Sequence, residues 1–113
     1  MSYNNFVVDD IVVDVLIVES DRSEHIAKHK ITIDEVIQVI ENDYIYIEGR
    51  GKRWLLIGKT KKGRFLTVII GERREKNTYG LITSRPARRD ERAFYKEFTI
   101  KVGGEEDDQD KKN

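Results

Sequence analysis

The sequence has no cysteine, one proline and one tryptophan. Without thiols, neither a disulfide framework nor a thiolate metal site can form, and folding needs no oxidising compartment. Long apolar runs are also missing: Asp9, Asp10 and Asp14 interrupt the N-terminal one, and no stretch approaches the ~20 residues that span a bilayer. Met1-Ser2-Tyr3-Asn4-Asn5 lacks the basic start of a secretory signal. The expected location is therefore the cytoplasm.

What the chain has in excess is charge. Charged residues make up 37% and hydrophobic ones only 38%, against usual shares of about 25% and 45–50%, so a modest core sits under a heavily ionised surface. At 113 residues two cores would each be too small to stand alone, and one domain over residues 1–102 is expected, followed by a disordered acidic tail at 103–113. The formal net charge of zero hides a segregation: −8 over residues 1–49, +11 over 50–101 and −3 over 102–113. A basic stretch built of strands and turns focuses positive potential and favours polyanions through counterion release. The alternative is that acidic helices simply shield basic strands within the fold.

Ile11 to Val18 is nearly unbroken and β-branched, as in a strand. Ser20 and Asp21 offer N-caps, with Glu24 as a capping-box partner, for a short helix over about Arg22–His29. Thr32 and Glu35 repeat the device before Ile33, Val36, Ile37 and Ile40 at helical spacing. Tyr44–Ile47 reads as a strand. Arg53–Lys59 and Arg64–Ile70 form a hairpin around Thr60-Lys61-Lys62-Gly63, and Thr78–Ser84 adds a further strand to an antiparallel meander. Pro86 suits the first turn of a helix over about Ala87–Glu97, with Ala93, Phe94 and Phe98 packing it onto the sheet and Thr99–Val102 adding a short strand. The pattern is α+β: an N-terminal strand and two short helices, a meander and a C-terminal helix.

Few residues offer chemistry. His25 and His29 share a helical face at i,i+4, but no third ligand is apparent, and no metal is expected. Gly49-Arg50-Gly51-Lys52 has neither the spacing of a phosphate-binding loop nor a helix after it. What remains is Lys52-Arg53-Trp54, Arg64 and the Ser84-Arg85-Pro86-Ala87-Arg88-Arg89 segment. Guanidinium groups bind phosphate bidentately and stabilise the charge of its transition state. Trp54 beside them either stacks on an unpaired base or fills the core.

Three pieces in order resemble the BrnT-type toxins of type II toxin–antitoxin systems, small relatives of the RelE-like ribonucleases. They are His25-Ile26-Ala27-Lys28-His29-Lys30-Ile31-Thr32-Ile33-Asp34-Glu35-Val36; Arg53-Trp54-Leu55-Leu56-Ile57-Gly58-Lys59-Thr60 with Gly63-Arg64-Phe65-Leu66; and Ile82 through Tyr95 around Ser84-Arg85-Pro86. The resemblance implies a RelE/BrnT-like α+β fold and cofactor-free, metal-independent RNA cleavage that inhibits translation, in which a ribose 2′-hydroxyl attacks the adjacent phosphate. It implies active-surface positions at Trp54, Arg64 and Arg85, with Arg53 alongside, and an antitoxin partner of ribbon-helix-helix type; Lys52 is a further catalytic candidate, and Arg53, Lys61, Lys62, Arg88 and Arg89 are candidate RNA contacts by their charge. One departure stands out: where the family pattern places a carboxylate before the tryptophan, this chain has Lys52. Either Lys52 takes the proton-transfer role in a crowded cationic site, or another group such as Glu72 substitutes, or the chain is a weak or inactive nuclease. The competing readings are a module that binds RNA or protein through the same basic sheet without cleaving, and an interaction domain that meets only an acidic protein.

Overall fold

A computed structural model describes the chain from residue 11 to residue 103, with side chains through Phe98. Its elements are β1 (Val15–Ile17), α1 (Ser20–Ala27), α2 (Ile33–Glu41), β2 (Tyr44–Glu48), β3 (Arg53–Lys59), β4 (Phe65–Glu72), β5 (Thr78–Pro86) and α3 (Arg89–Gly103). The fold is α+β: one five-stranded mixed sheet in the order β1-β5-β4-β3-β2, with three helices. Strands β2 to β5 form the expected antiparallel meander. Strand β1 pairs with β5 in parallel, Val15 opposite Thr78 and Ile17 opposite Gly80, so the sheet is mixed.

The apolar Ile11–Val18 run yields only three residues of strand, because Ile11, Val13 and Val18 are used as packing against the core rather than in a ladder. The capping box before α2 forms as its sequence predicts: Glu35 N–H donates to the Thr32 hydroxyl and Thr32 N–H to the Glu35 carboxylate, both at 3.1 Å. Before α1 it does not. The N-cap there is Glu19, with no side-chain cap bond, and its carboxylate lies 3.6 Å from Arg73 instead.

Two cores lie on opposite faces of the sheet. On the front, Ile26 of α1 and Val36 and Val39 of α2 bury against Leu56, Leu66, Val68, Ile70, Tyr79 and Leu81. On the back, Tyr95 of α3 and Ala87 bury against Ile45 and Ile57, with Ile47 and Phe65 half-buried beside them. Alternate residues of each strand serve alternate faces, as a pleated strand requires. Strand β5 breaks this alternation once. Ile70 pairs with Leu81, yet Ile69 pairs with Thr83, so Ile82 is an extra residue in β5. This bulge reverses the facing of every later residue in the strand.

Two further departures concern the C-terminal region. Pro86 ends β5, paired with Leu66, and the ladder continues one step when Ala87 N–H donates to the Phe65 carbonyl at 3.1 Å. A strand end tolerates proline as readily as a helix start does, since its missing N–H faces no partner. Residues 99–102 continue α3 and form no strand, because extending a formed helix adds one hydrogen bond for each residue fixed. The tail from residue 104 and the first ten residues lie outside the described chain. Among the described residues no helix is long and apolar enough to cross a membrane.

Gly58 lets α2 approach β3. A methyl group there would meet the Asp43 carbonyl at 3.1 Å, Val39 Cγ1 at 3.2 Å and Tyr44 Cβ at 3.3 Å. Gly58→Ala is therefore expected to lower the unfolding free energy by about 1–3 kcal/mol through overpacking, measured as a shift of the urea midpoint with an unchanged slope.

Candidate nucleic-acid interface

The sequence places Trp54, Arg64 and Arg85 in one site; the structure separates them. Arg85 pairs with Thr67 across β4 and β5 and so lies on the back of the sheet. Its guanidinium makes a bidentate bond to Glu91 of α3, at 2.8 and 2.9 Å. Arg64, three residues before Thr67, points to the front. There its guanidinium caps the end of α1 by donating to the carbonyls of Lys30 at 2.7 Å and His29 at 3.2 Å, and it pairs with Glu35 at 3.2 Å. Trp54 is on the front as well, but it pairs with Ile70. That is six residues along β4 from Arg64, roughly 20 Å at the rise of a strand. The expected convergence fails for two reasons: strand length separates Trp54 from Arg64, and the Ile82 bulge turns Arg85 through the sheet.

Glu91 is the anchor of the back face. Only 8% exposed, its carboxylate accepts both Arg85 bonds, the Thr67 hydroxyl at 2.8 Å and the Arg88 backbone N–H at 2.8 Å. Burial alone would raise its pKa; the hydrogen bonds from Arg85, Arg88 and Thr67 and the Arg85 charge outweigh that and lower it to about 2. Arg85 is held further toward its charged form by its hydrogen bond to the same carboxylate. These are structural pairings, and they take the Arg85 guanidinium out of contact with a free phosphate, as the Glu35 pairing does for Arg64.

Trp54 is half-buried rather than offered to solvent. It meets Tyr46 edge-on at 5.9 Å between centroids, and its indole N–H donates to Glu72 at 2.9 Å. Burial, and next the Glu72 charge, push the Tyr79 phenol up. Lys52 sits in the β2–β3 turn with φ of +61°, beside Gly51 at +65°, and is exposed. The remaining cations scatter. Lys61 and Lys62 are exposed in the β3–β4 turn, beside a cavity of about 420 Å³ walled by Asp43, Lys59, Thr60 and Tyr95. The Tyr95 phenol is raised by burial and by Asp43. Arg88 and Arg89 are exposed at the start of α3, an end of the helix dipole that disfavours cations. His25 and His29 stack edge-on at 6.3 Å, and among the described residues no group of three metal-ligating side chains gathers.

At the far end of the sheet, however, a cationic groove does form. About 280 Å³ in volume, it is lined by Arg22, Arg53 and Arg73, by Glu19 and Glu72, and by Gly51, Gly71 and Gly80. Arg53 pairs with Gly71 and Gly71 with Gly80 across three strands, and the Ile82 side chain covers Gly71, where a Cβ would meet its Cδ1 at 3.0 Å. A Cβ at Gly80 would overlap the Arg73 guanidinium, which lies flat on the strand. Arg22 is steadied by donating to the Ile82 carbonyl at 3.1 Å, a group left open where β1 has ended and the bulge begins. Of this set the sequence pointed to Arg53 and, as a substitute carboxylate, Glu72. Arg22 and Arg73 had no signal, since one sits in an acidic helix and the other in a turn. No protein-family model and no curated protein matches this sequence.

Because the Glu91 pKa is depressed on folding, its contribution to stability is fully present above its ordinary value of 4.5 and is lost as pH falls toward about 2. The shift corresponds to about 3 kcal/mol. Glu91→Gln is expected to destabilise the fold by about that amount at neutral pH, and the gap to the wild type is expected to close between about pH 5 and pH 2. Urea unfolding of both proteins across that range is the check; a gap that stays constant with pH would rule out this role for the carboxylate.

Proposed function

We propose that the chain is a RelE/BrnT-like toxin of the type II toxin–antitoxin class, acting on RNA in the cytoplasm at the Arg22–Arg53–Arg73 groove. The observation that carries this reading is the groove itself, which gathers three guanidinium groups at one end of the sheet. The segregation of positive charge in residues 50–101 supports it, as does the resemblance of three ordered sequence pieces. In this reading Arg53 grips the scissile phosphate and stabilises its added charge.

Glu72 takes the part of the carboxylate missing before Trp54. Its carboxylate is oriented by the indole N–H, and the residue borders the groove. It accepts the 2′-hydroxyl proton as that oxygen attacks phosphorus; the 5′-oxygen of the next nucleotide leaves and is protonated, and a 2′,3′-cyclic phosphate remains. Arg64, Arg85 and Lys52 have no direct part in it. A ribbon-helix-helix antitoxin would neutralise the protein by covering the basic surface. A second reading, RNA binding without cleavage, is favoured by one observation: Arg64 and Arg85 are both committed to internal carboxylates.

Induction of the wild-type chain in bacteria is expected to arrest growth and degrade total RNA. Glu72→Gln is expected to slow cleavage about 10²–10⁴-fold and restore growth, and Arg53→Ala to weaken RNA binding. Normal growth and intact RNA with a folded wild-type protein would exclude the nuclease, and retained RNA affinity in that case would establish the second reading.

A further inference from the structure

Among the described residues the exposed aromatic side chains are not at Trp54. Phe94 and Phe98 of α3 are 42% and 49% exposed, and their rings lie 6.1 Å apart. Sequence periodicity assigns them to the sheet, but Glu91 and Tyr95 take that side of the helix and are buried. Lys96 reaches back over Phe65, its ammonium 5.9 Å from the ring centroid, so its flank of α3 faces the β3–β4 turn. Residues turn by about 100° each around a helix. Phe94 therefore lies roughly 200° from Lys96, with Phe98 one turn above it, on the flank that looks along the strands the other way.

In that direction the back of the sheet is only partly covered. Ile47, Leu55 and Ile69 are half-buried there, and Arg53 stands exposed at the end of the row. Ile57, in the Tyr95 cluster, is four residues from Arg53 on β3, about 13 Å. A short stretch of single strand can therefore touch both ends. The surface thus runs from an aromatic wall, over an apolar floor, to the arginine groove.

Resting on the RNA reading above, we infer that the ligand of this surface is single-stranded RNA, with unpaired bases stacked on Phe94 and Phe98 and the following phosphates led to Arg53. Exposed ring faces suit bases that are not already stacked in a duplex, and a duplex has none to offer. The row of cations at one end sets the occupant as a polyanion rather than an apolar helix or a second copy carrying the same positive patch.

Fluorescence anisotropy with a short oligouridine and with an RNA duplex of equal length, over a range of salt, tests this. The wild type is expected to prefer the single strand. The double variant Phe94→Ala, Phe98→Ala, whose side chains leave the core untouched, is expected to bind it about 5- to 100-fold more weakly, with an unchanged salt slope and unchanged duplex binding. Phe94→Trp is expected to retain affinity where Phe94→Leu does not, and Arg53→Ala to reduce the salt slope by about one. RNA binding indifferent to the double variant, or rescued equally by leucine, overturns the stacking inference and leaves the RNA reading standing. A dimer that the double variant dissociates, with RNA affinity unchanged, overturns it too. No RNA binding by the wild type removes both readings together.

Discussion

One carboxylate holds the back of this molecule together. Glu91 reaches down from the first turn of α3 to a strand arginine, a strand hydroxyl and the backbone N–H just before its own helix. The carboxylate and the Thr67 hydroxyl are buried once the helix is seated, so leaving the carboxylate without this set of partners would be costly. The position of α3 follows from that set, and with it the placement of Tyr95 over Ile45 and Ile57 and of the phenylalanines on the helix's open flank. The front face has its own, weaker counterpart in Arg64, which ties the end of α1 and the start of α2 to β4.

The single extra residue at Ile82 separates these two systems. Had β5 run without it, Arg85 would share the face of Leu81 and Arg64, and a cluster of arginines on the front would be credible. The bulge sends Arg85 to the back, where Glu91 neutralises it. It also frees the carbonyl that steadies Arg22. A register shift of this kind leaves almost no trace in composition or periodicity, which is why Arg85 could not be placed from the sequence.

Local signals were legible where the physics is local. The Thr32–Glu35 box, the limits of β3 and the turn at Gly63 follow from caps, alternation and a positive φ. Signals that depend on a distant partner were not. The parallel pairing of β1, the burial of Glu91 and the groove assembled from Arg22, Arg53 and Arg73 each join residues far apart in the chain, and no local pattern encodes the join. Phe94 and Phe98 misled for a related reason. Apolar residues at i,i+4 indicate a packed face, but on α3 a charged residue and a tyrosine take the packed side, and the phenylalanines face out.

The parallel pairing of Val15 with Thr78 has a temporal consequence. A chain made from its N-terminus produces β1 first, yet β1 has no partner until β5, which begins only at Thr78, has emerged. By then the earlier strands of the meander, whose neighbours are joined by short turns, can already be paired. The first strand synthesised is thus the last to be placed. Until that closure the β5 edge offers its unpaired backbone to any other strand nearby, so the interval between synthesis and closure is when misassociation has its opening.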